Sequence, residues 1–131
     1  MMNEGVIALG SNINPKENIP AAIAEISNNF QLIKRSEFIF TKPLGYTDQP
    51  DFLNGTVLVQ SPDDKDNIID KLKGIEQQMG RRRTGRRDGP RKIDLDLVLF
   101  NDQILDADVY ERDFLKHSIK QILPGIKLPR Q

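Results

Sequence analysis

Apolar and polar residues follow one another along the chain in blocks that predict four β-strands. An apolar run over residues 5–9 predicts a buried first strand, which ends at a turn in residues 10–12. Alternating aromatic residues predict a second strand within residues 31–40. Residues 52–60 and 93–100 are largely apolar and predict the third and fourth strands.

Two segments between these strands have the period of an amphipathic helix. The first begins after Asn14, a capping residue, and Pro15, which suits the first helical turn, and its apolar residues recur at steps of three and four up to Phe30. The second is predicted to start in residues 61–64, Ser-Pro-Asp-Asp, where the serine acts as the cap, and it ends at Gly80. The chain order is therefore β-α-β-β-α-β.

This order is typical of the α+β class and, within it, of ferredoxin-like folds. We predict an antiparallel sheet with the two helices on one face and the other face free. A further short helix is predicted over residues 112–122. Residues 1–131 are predicted to form a single domain, because the length lies near the commonest domain size.

Composition limits the chemistry that the chain can perform. It has no cysteine, which excludes disulfides, thiolate metal sites and a catalytic Cys, so a bound metal would have oxygen ligands. The sequence has no apolar run of about 18–20 residues and does not start like a secretory leader. We expect a soluble, cytoplasmic protein that does not bind membranes.

Charge is balanced overall but uneven locally. The chain has 19 basic and 19 acidic residues, yet residues 81–91, here called the arginine segment, contain six arginines and one aspartate. The planar guanidinium group pairs with phosphate or carboxylate through two hydrogen bonds. The segment therefore predicts an anion-binding loop, and the alternative is a solvated loop.

Asp94 and Asp96 form the sharpest local pattern. Side chains alternate along a strand, so both carboxylates share one face, and Ile93, Leu95, Leu97 and Leu99 are expected on the other. Mg²⁺ takes oxygen ligands, often one or two carboxylates together with phosphate oxygens. Because the arginine segment leads into this strand, the pattern favours a magnesium–nucleotide site, and the alternative is a polar strand face with two solvated acids.

A second candidate site surrounds Asn54, an amide within an otherwise apolar strand. A flat heterocycle could lie between Phe52 and Leu44 while the amide meets its edge, and the alternative is an exposed Asn. The sequence contains neither G-x-x-x-x-G-K-[ST] nor G-x-G-x-x-G, so a phosphate site must use side chains. His117, the single histidine, receives no role.

Four motifs in order resemble the 6-hydroxymethyl-7,8-dihydropterin pyrophosphokinase family. They are Ala-Leu-Gly-Ser-Asn at 8–12, Thr-x-Pro-Leu-Gly-x-x-x-Gln-Pro-x-Phe-x-Asn at 41–54, Glu-x-x-x-Gly-Arg-x-Arg at 76–83 and Gly-Pro-Arg-x-x-Asp-Leu-Asp at 89–96. The resemblance implies a ferredoxin-like fold. It also implies transfer of pyrophosphate from ATP to the pterin hydroxymethyl group, which yields AMP and a folate precursor.

The resemblance also implies the roles of individual residues. Two Mg²⁺ ions would be held by Asp94 and Asp96. ATP would be bound by Glu76, Arg81, Arg83, Arg87, Arg91 and Arg112. The pterin would lie against Leu44, Phe52, Asn54 and Phe114. The residues expected to carry catalysis are Arg81, Arg91, Asp94 and Asp96.

The chain departs from the family pattern in the nucleotide half of the site. Asp88 stands where an aromatic residue is usual, and the Pro-His element before Arg112 is missing, with Asp106 and Asp108 in that region. Two alternatives therefore stay open: a weakly active or inactive pterin- or nucleotide-binding relative, and an RNA-binding module of the same topology. The third strand has only one aromatic residue for base stacking, so we expect no nucleic acid partner. We also expect a monomer.

Overall fold

A computed structural model describes residues 1–43, 45–80 and 90–128. Within these residues six strands form one antiparallel sheet, accompanied by four helices. The strands are β1 Asn3–Ser11, β2 Gln31–Arg35, β3 Ile39–Thr41, β4 Phe52–Ser61, β5 Asp94–Phe100 and β6 Gln103–Ile104. The helices are α1 Pro15–Asn29, α2 Lys65–Gln78, α3 Asp108–Glu111 and α4 Asp113–Ile122.

The sheet has the strand order β2-β4-β1-β5-β6, and β3 also pairs with β4. β1 lies between β4 and β5 and is antiparallel to both. The four longest strands and the first two helices follow one another as β-α-β-β-α-β. The predicted α+β class and ferredoxin-like arrangement are therefore confirmed.

The predicted second strand is divided in two. β2 and β3 both pair with β4, and Ser36 lies between them, donating its backbone N–H to the Thr56 carbonyl at 2.9 Å. The ring of Phe38 lies against Gly55, where an added Cβ would come within 2.6 Å of the ring. The missing side chain of Gly55 therefore leaves room for the Phe38 ring at the place where the strand is interrupted.

Helix α2 begins later than the sequence predicted. Its N-cap is Asp64, whose side chain accepts a hydrogen bond from the backbone N–H of Asn67 at 2.9 Å. Ser61 is the last residue of β4 and bonds to Asp63, so the prediction that Ser61 caps the helix was wrong. Both residue types accept from a helix N-terminus, and the length of β4 decides between them.

Helix α1 begins at Pro15 with Asn14 as its N-cap residue, as predicted, although the Asn14 side chain does not cap the helix. Asn14 has a left-handed backbone (φ 43°, ψ 52°) and makes no side-chain cap hydrogen bond. The buried amide of Asn18 instead donates to the carbonyl of Ile13 at 2.5 Å. The turn is thus closed by a residue inside the helix.

The main hydrophobic core lies between the sheet and helices α1 and α2, as predicted. The opposite face, which was expected to be free, is partly covered by α4. The core on this second face consists of Val6, Leu58, Val98, Leu99, Val109, Leu115, Ile119 and Ile122. The prediction that this face is free is therefore wrong over this area, because the amphipathic helix α4 packs its apolar side against it.

Leu99 also faces the second core, contrary to the prediction that it would share a face with Leu97. The pairing of β1 with β5 shifts register between Val6 and Ile7, which are opposite Leu99 and Leu97. The shift places Val98 as an extra residue, so alternation changes phase after it.

Among the described residues no helix is long and apolar enough to cross a membrane.

Candidate active site

A cavity of about 200 Å³, called here the first cavity, opens on the second face of the sheet. Strands β1, β4 and β5 form its floor, and the segment after β3 together with α3 and α4 form its walls. Its lining includes Ala8, Gly10, Lys42, Pro43, Phe52, Asn54, Arg91, Asp94, Asp96, Asp106, Asp108, Arg112 and Phe114. The cavity brings the two predicted carboxylates together with Phe52, Asn54 and Phe114, three of the residues predicted to bind the pterin.

Asp94 and Asp96 both line the first cavity, as strand alternation predicted. Their partners on β1 are Gly10 and Ala8, respectively. Because these partners carry little or no side chain, the space beside the carboxylates stays open to a ligand. Asp94 is half-buried and Asp96 is exposed.

Arg91 brings positive charge to the same place. Its side chain is buried, and its Nε lies 3.9 Å from a carboxylate oxygen of Asp94. Its backbone N–H donates to the side-chain oxygen of Asn12 at 2.8 Å. A buried guanidinium so close to a carboxylate gives the cavity adjacent cationic and anionic groups.

Asn54 reaches the cavity with its amide orientation fixed. Its Nδ2 donates to the carbonyl of Phe52 at 3.1 Å and to the hydroxyl of Thr41 at 2.5 Å. A carbonyl only accepts, so the amide nitrogen must be the atom on that side. The Oδ1 atom lies beside Gly10, where an added Cβ would be 2.9 Å from it. Asn54 is half-buried and lines the cavity, so the alternative of an exposed Asn is wrong.

Two aromatic rings border the cavity, Phe52 from β4 and Phe114 from α4. The guanidinium carbon of Arg112 lies 4.3 Å from the centre of the Phe114 ring, within cation–π range. Arg112 also has Nη1 4.0 Å from a carboxylate oxygen of Asp108. The wall made by α3 and α4 therefore holds an aromatic face and a cation in contact.

Asp106 and Asp108 also line the cavity, and neither was among the predicted site residues. Burial raises the pKa of Asp108, the charge of Asp106 adds to the effect, and Arg112 opposes it. They reach the cavity because β6 folds back on β5 after a tight turn at Asn101, which has φ 52°. Asn and Asp are typical turn residues, and Asn adopts a positive φ more readily than most residues, so residues 101–102 carry a turn signal in the sequence.

Glu76 lies in a neighbouring space of about 360 Å³, called here the second cavity. Its carboxylate accepts a hydrogen bond at 2.8 Å from the backbone N–H of Leu95, the residue between the paired aspartates. The cavity is lined by Ile69, Leu72, Lys73, Glu76, Leu95, Asp96, Leu97, Leu105 and Asp106. Asp96 and Asp106 line both cavities, so the two spaces adjoin along β5.

The predicted site residues thus fall into three groups. The first cavity brings together Phe52, Asn54, Arg91, Asp94, Asp96, Arg112 and Phe114. Glu76 lines the second cavity. Leu44, Arg81, Arg83 and Arg87 lie outside the described residues. His117 is exposed on α4 and lines neither cavity.

The ferredoxin-like sheet therefore carries an open cavity in which paired carboxylates, guanidinium groups and two aromatic rings lie together. Such a cavity has the form of a small-molecule site, with apolar surface and a few convergent polar groups. The sequence profile of the 7,8-dihydro-6-hydroxymethylpterin-pyrophosphokinase family matches residues 6–124, and the chain belongs to this family. The resemblance drawn from the sequence motifs is confirmed.

Individual relatives agree. The 2-amino-4-hydroxy-6-hydroxymethyldihydropteridine pyrophosphokinase of Haemophilus influenzae is 36% identical over 134 residues, which cover 94% of this chain and 83% of that protein. The protein with the same description from Pseudomonas aeruginosa is 33% identical over 98% of this chain and 86% of its own length. The one from Bacillus subtilis is 33% identical over 97% and 82%.

Proposed function

We propose that the chain transfers pyrophosphate from ATP to 6-hydroxymethyl-7,8-dihydropterin and releases AMP. In this reaction the hydroxymethyl oxygen bonds to the β-phosphorus and its proton is released to water. The bond from that phosphorus to the α–β bridging oxygen breaks, and this oxygen keeps the electron pair and leaves as part of AMP. The observation that carries the proposal is that Asn54 and the two phenylalanines share one cavity with Asp94, Asp96 and Arg91. The comparisons give no support to an RNA-binding module or an inactive relative.

The first cavity suits a pterin. Phe52 and Phe114 supply aromatic surface for a flat ring, and Asn54 supplies a polar edge contact. Because the Asn54 nitrogen is engaged by Phe52 and Thr41, its oxygen is the atom available to a ligand. A carbonyl oxygen accepts hydrogen bonds, which matches the N–H groups on the edge of a pterin. Leu44 is proposed to contribute to the same site.

The carboxylate pair suits Mg²⁺. The described part of the chain contains no group of three or more His, Asp or Glu side chains placed to hold a metal ion. Two carboxylates with open space beside them fit an ion that takes most of its ligands from phosphate and water. We propose that Asp94 and Asp96 hold two Mg²⁺ ions, which when bound would neutralise triphosphate charge.

The second cavity is the proposed place for the nucleoside end of ATP. It offers apolar surface from Ile69, Leu72 and Leu97 together with the polar groups of Glu76 and Lys73. Since it adjoins the first cavity along β5, a nucleotide bound there would extend its phosphates towards the aspartate pair.

Arginines are proposed to meet those phosphates. Arg91 and Arg112 line the first cavity and supply positive charge beside the carboxylates. Arg81, Arg83 and Arg87 are proposed to add to it from the arginine segment. Positioning and charge neutralisation supply most of the acceleration in phosphoryl transfer, so the proposal needs no general base.

The reaction is tested by incubating the protein with ATP, Mg²⁺ and the reduced pterin and separating the products by chromatography. We expect equal amounts of AMP and pterin diphosphate. ADP and a pterin monophosphate would contradict pyrophosphate transfer, and pterin binding without turnover would leave only a binding protein.

A monomeric state and a cytoplasmic location remain predictions.

The metal assignment is tested by Asp96→Asn. We expect turnover to fall by at least about 10²-fold while pterin affinity, measured by calorimetry, stays within about threefold, because the carboxylate acts on the phosphates. Asp102→Asn, at an exposed acid in the turn between β5 and β6, is the matched control and should keep wild-type turnover. A normal rate in Asp96→Asn would remove the assignment.

A further inference from the structure

Asn12 is a buried polar residue in the segment where the sequence predicts a turn. It follows directly after β1, and only 4% of its surface is exposed. Its side chain and backbone together make hydrogen bonds to two segments that are far apart in sequence. Each segment borders a different part of the proposed site.

On one side Asn12 holds the segment that leads into β5. Its side-chain oxygen accepts a hydrogen bond from the Arg91 backbone N–H at 2.8 Å, and its own N–H donates to the Arg91 carbonyl at 3.1 Å. Arg91 is 6% exposed and lies beside Asp94. Asn12 therefore fixes the backbone that carries the proposed phosphate- and metal-binding groups.

On the other side Asn12 holds the segment that leads into β4. Its Nδ2 donates to Gln49 Oε1 at 2.8 Å and to the Pro50 carbonyl at 3.0 Å. The amide of Gln49 in turn donates to the Tyr46 carbonyl at 2.5 Å. This segment passes directly into Phe52, which lines the proposed pterin site.

We infer that Asn12 is a positioning residue, which sets the distance between the pterin-binding segment and the phosphate-binding segment. This inference rests on the proposed function. The line-up of the hydroxymethyl oxygen with the β-phosphorus depends on that distance, and a displacement of about 1 Å can cost about 10²-fold in rate. Asparagine suits the position because one short side chain supplies both an acceptor and two donors.

The variant Asn12→Asp tests the inference, because it retains the size and the acceptor but loses both donated bonds. We expect the single-turnover rate of AMP formation, measured by rapid quench, to fall about 10²-fold. The dissociation constants of the pterin alone and of a magnesium complex of a non-hydrolysable ATP analogue alone should each change by less than about threefold. A split of this kind separates positioning from substrate contact.

Asn18→Asp is the matched control. Asn18 is also a buried amide, in the first turn of α1, but its side chain donates to the carbonyl of Ile13, outside both cavities. This variant should keep the wild-type single-turnover rate. If it loses as much rate as Asn12→Asp, a general loosening of the turn explains both and the inference fails.

Gln49→Met provides a second variant, which removes the acceptor for Asn12 at a half-buried position. It decides the matter if Asn12→Asp does not fold, and its expected effect is a smaller loss of rate with both affinities retained. Wild-type rates in the variants, or loss of affinity for one substrate at an unchanged rate, would overturn the inference. Absence of AMP formation by the wild-type protein would instead overturn the proposed function.

Discussion

Gly10 shows how a single missing side chain can shape the proposed pterin site. It lies on the floor of the first cavity beside Asn54, and a methyl group there would come within 2.9 Å of the Asn54 oxygen. That approach is closer than van der Waals contact permits, so the amide or the strand must move. The absence of a side chain at Gly10 therefore leaves the space that the Asn54 amide occupies.

Gly10→Ala is expected to weaken pterin binding by about tenfold or more, because a displaced amide loses its hydrogen bond to the ring edge. Isothermal calorimetry with the reduced pterin measures the effect. Gly74→Ala is the control, since an added Cβ at Gly74 has no neighbour within 4 Å. Unchanged affinity in Gly10→Ala would show that Asn54 does not meet the pterin edge.

The face of the sheet on which a residue lies could be predicted from the sequence where strand alternation alone determines it. Strand alternation gave two different results for β5. It placed Asp94 and Asp96 on one face correctly, yet misplaced Leu99, because a register shift between β1 and β5 cannot be read from one strand. The sequence predicted Asn12 only as a turn residue, since its partners Gln49 and Arg91 are distant in sequence. Polar contacts across such distances leave no periodic signal.

The turn between β4 and α2 belongs to the scale of elements. Asp63 accepts hydrogen bonds from Lys71 at 2.6 Å and from Ser61 at 2.9 Å, and Asn3 donates to its carbonyl. The bonds from Lys71 and Ser61 lower the pKa of Asp63. The Asp63 carboxylate thus ties the middle of α2, through Lys71, to the last residue of β4, Ser61.

A lowered carboxyl pKa stabilises the fold above the unfolded value of about 4, and this contribution is lost as the pH falls through the folded value. Asp63→Asn should therefore reduce the free energy of unfolding at about pH 7 and have little effect near pH 2. The loss should stay below about 1 kcal/mol, because the Lys71 side chain is 40% exposed.

Urea unfolding at both pH values measures the difference. Asp70→Asn, at an exposed acid of α2, controls for the removal of one negative charge. An equal loss at acid and neutral pH would show that the carboxylate charge is not what stabilises the turn.

Helix α2 contains a glycine, Gly74, at an exposed position in its interior, where glycine is destabilising. Gly74 has no neighbouring atom near an added Cβ and does not have a positive φ. Gly74→Ala should raise the free energy of unfolding by about 0.5–1 kcal/mol, since alanine loses less backbone freedom in a helix. A urea midpoint that does not rise, at an unchanged slope, would contradict this expectation.

At the scale of the whole molecule, three buried hydroxyl groups join α4 to the sheet. Ser118 lies 2.7 Å from the Thr56 hydroxyl and donates to Ser36 at 2.8 Å, and the Ser36 oxygen also accepts from the Thr56 backbone. Helix α4 carries Phe114 at its start. The hydroxyl groups therefore fix the height of one aromatic wall above the cavity floor.

Ser118→Ala should cost about 1–3 kcal/mol of unfolding free energy, because it leaves a buried hydroxyl without its partner. It should also weaken pterin binding, since Phe114 moves with α4. Thermal unfolding and calorimetry measure the two effects. Ser27→Ala, at an exposed position on α1, is the control, and a Ser118 variant with normal stability would contradict the role of the hydroxyl cluster.

Most of the fold could be predicted from the periodicity of the apolar residues, whereas the docking of α4 beside the proposed site could not. The strand and helix order needed only the apolar pattern, because the main core is built from residues that repeat at regular steps. The docking of α4 depends on hydroxyl contacts such as Ser36 with Ser118, 82 residues apart. The family motifs supplied candidate residues, but the separation of Glu76 into the second cavity became visible only in three dimensions.

Asp106 borders both cavities and reaches that position through the short hairpin of β5 and β6. Inserting residues after this hairpin would shift Asp106, which lies between the first and second cavities, without changing the pairing of β5 with β6. The length of this connection would therefore change the shape of the proposed nucleotide site while the sheet below it stays the same.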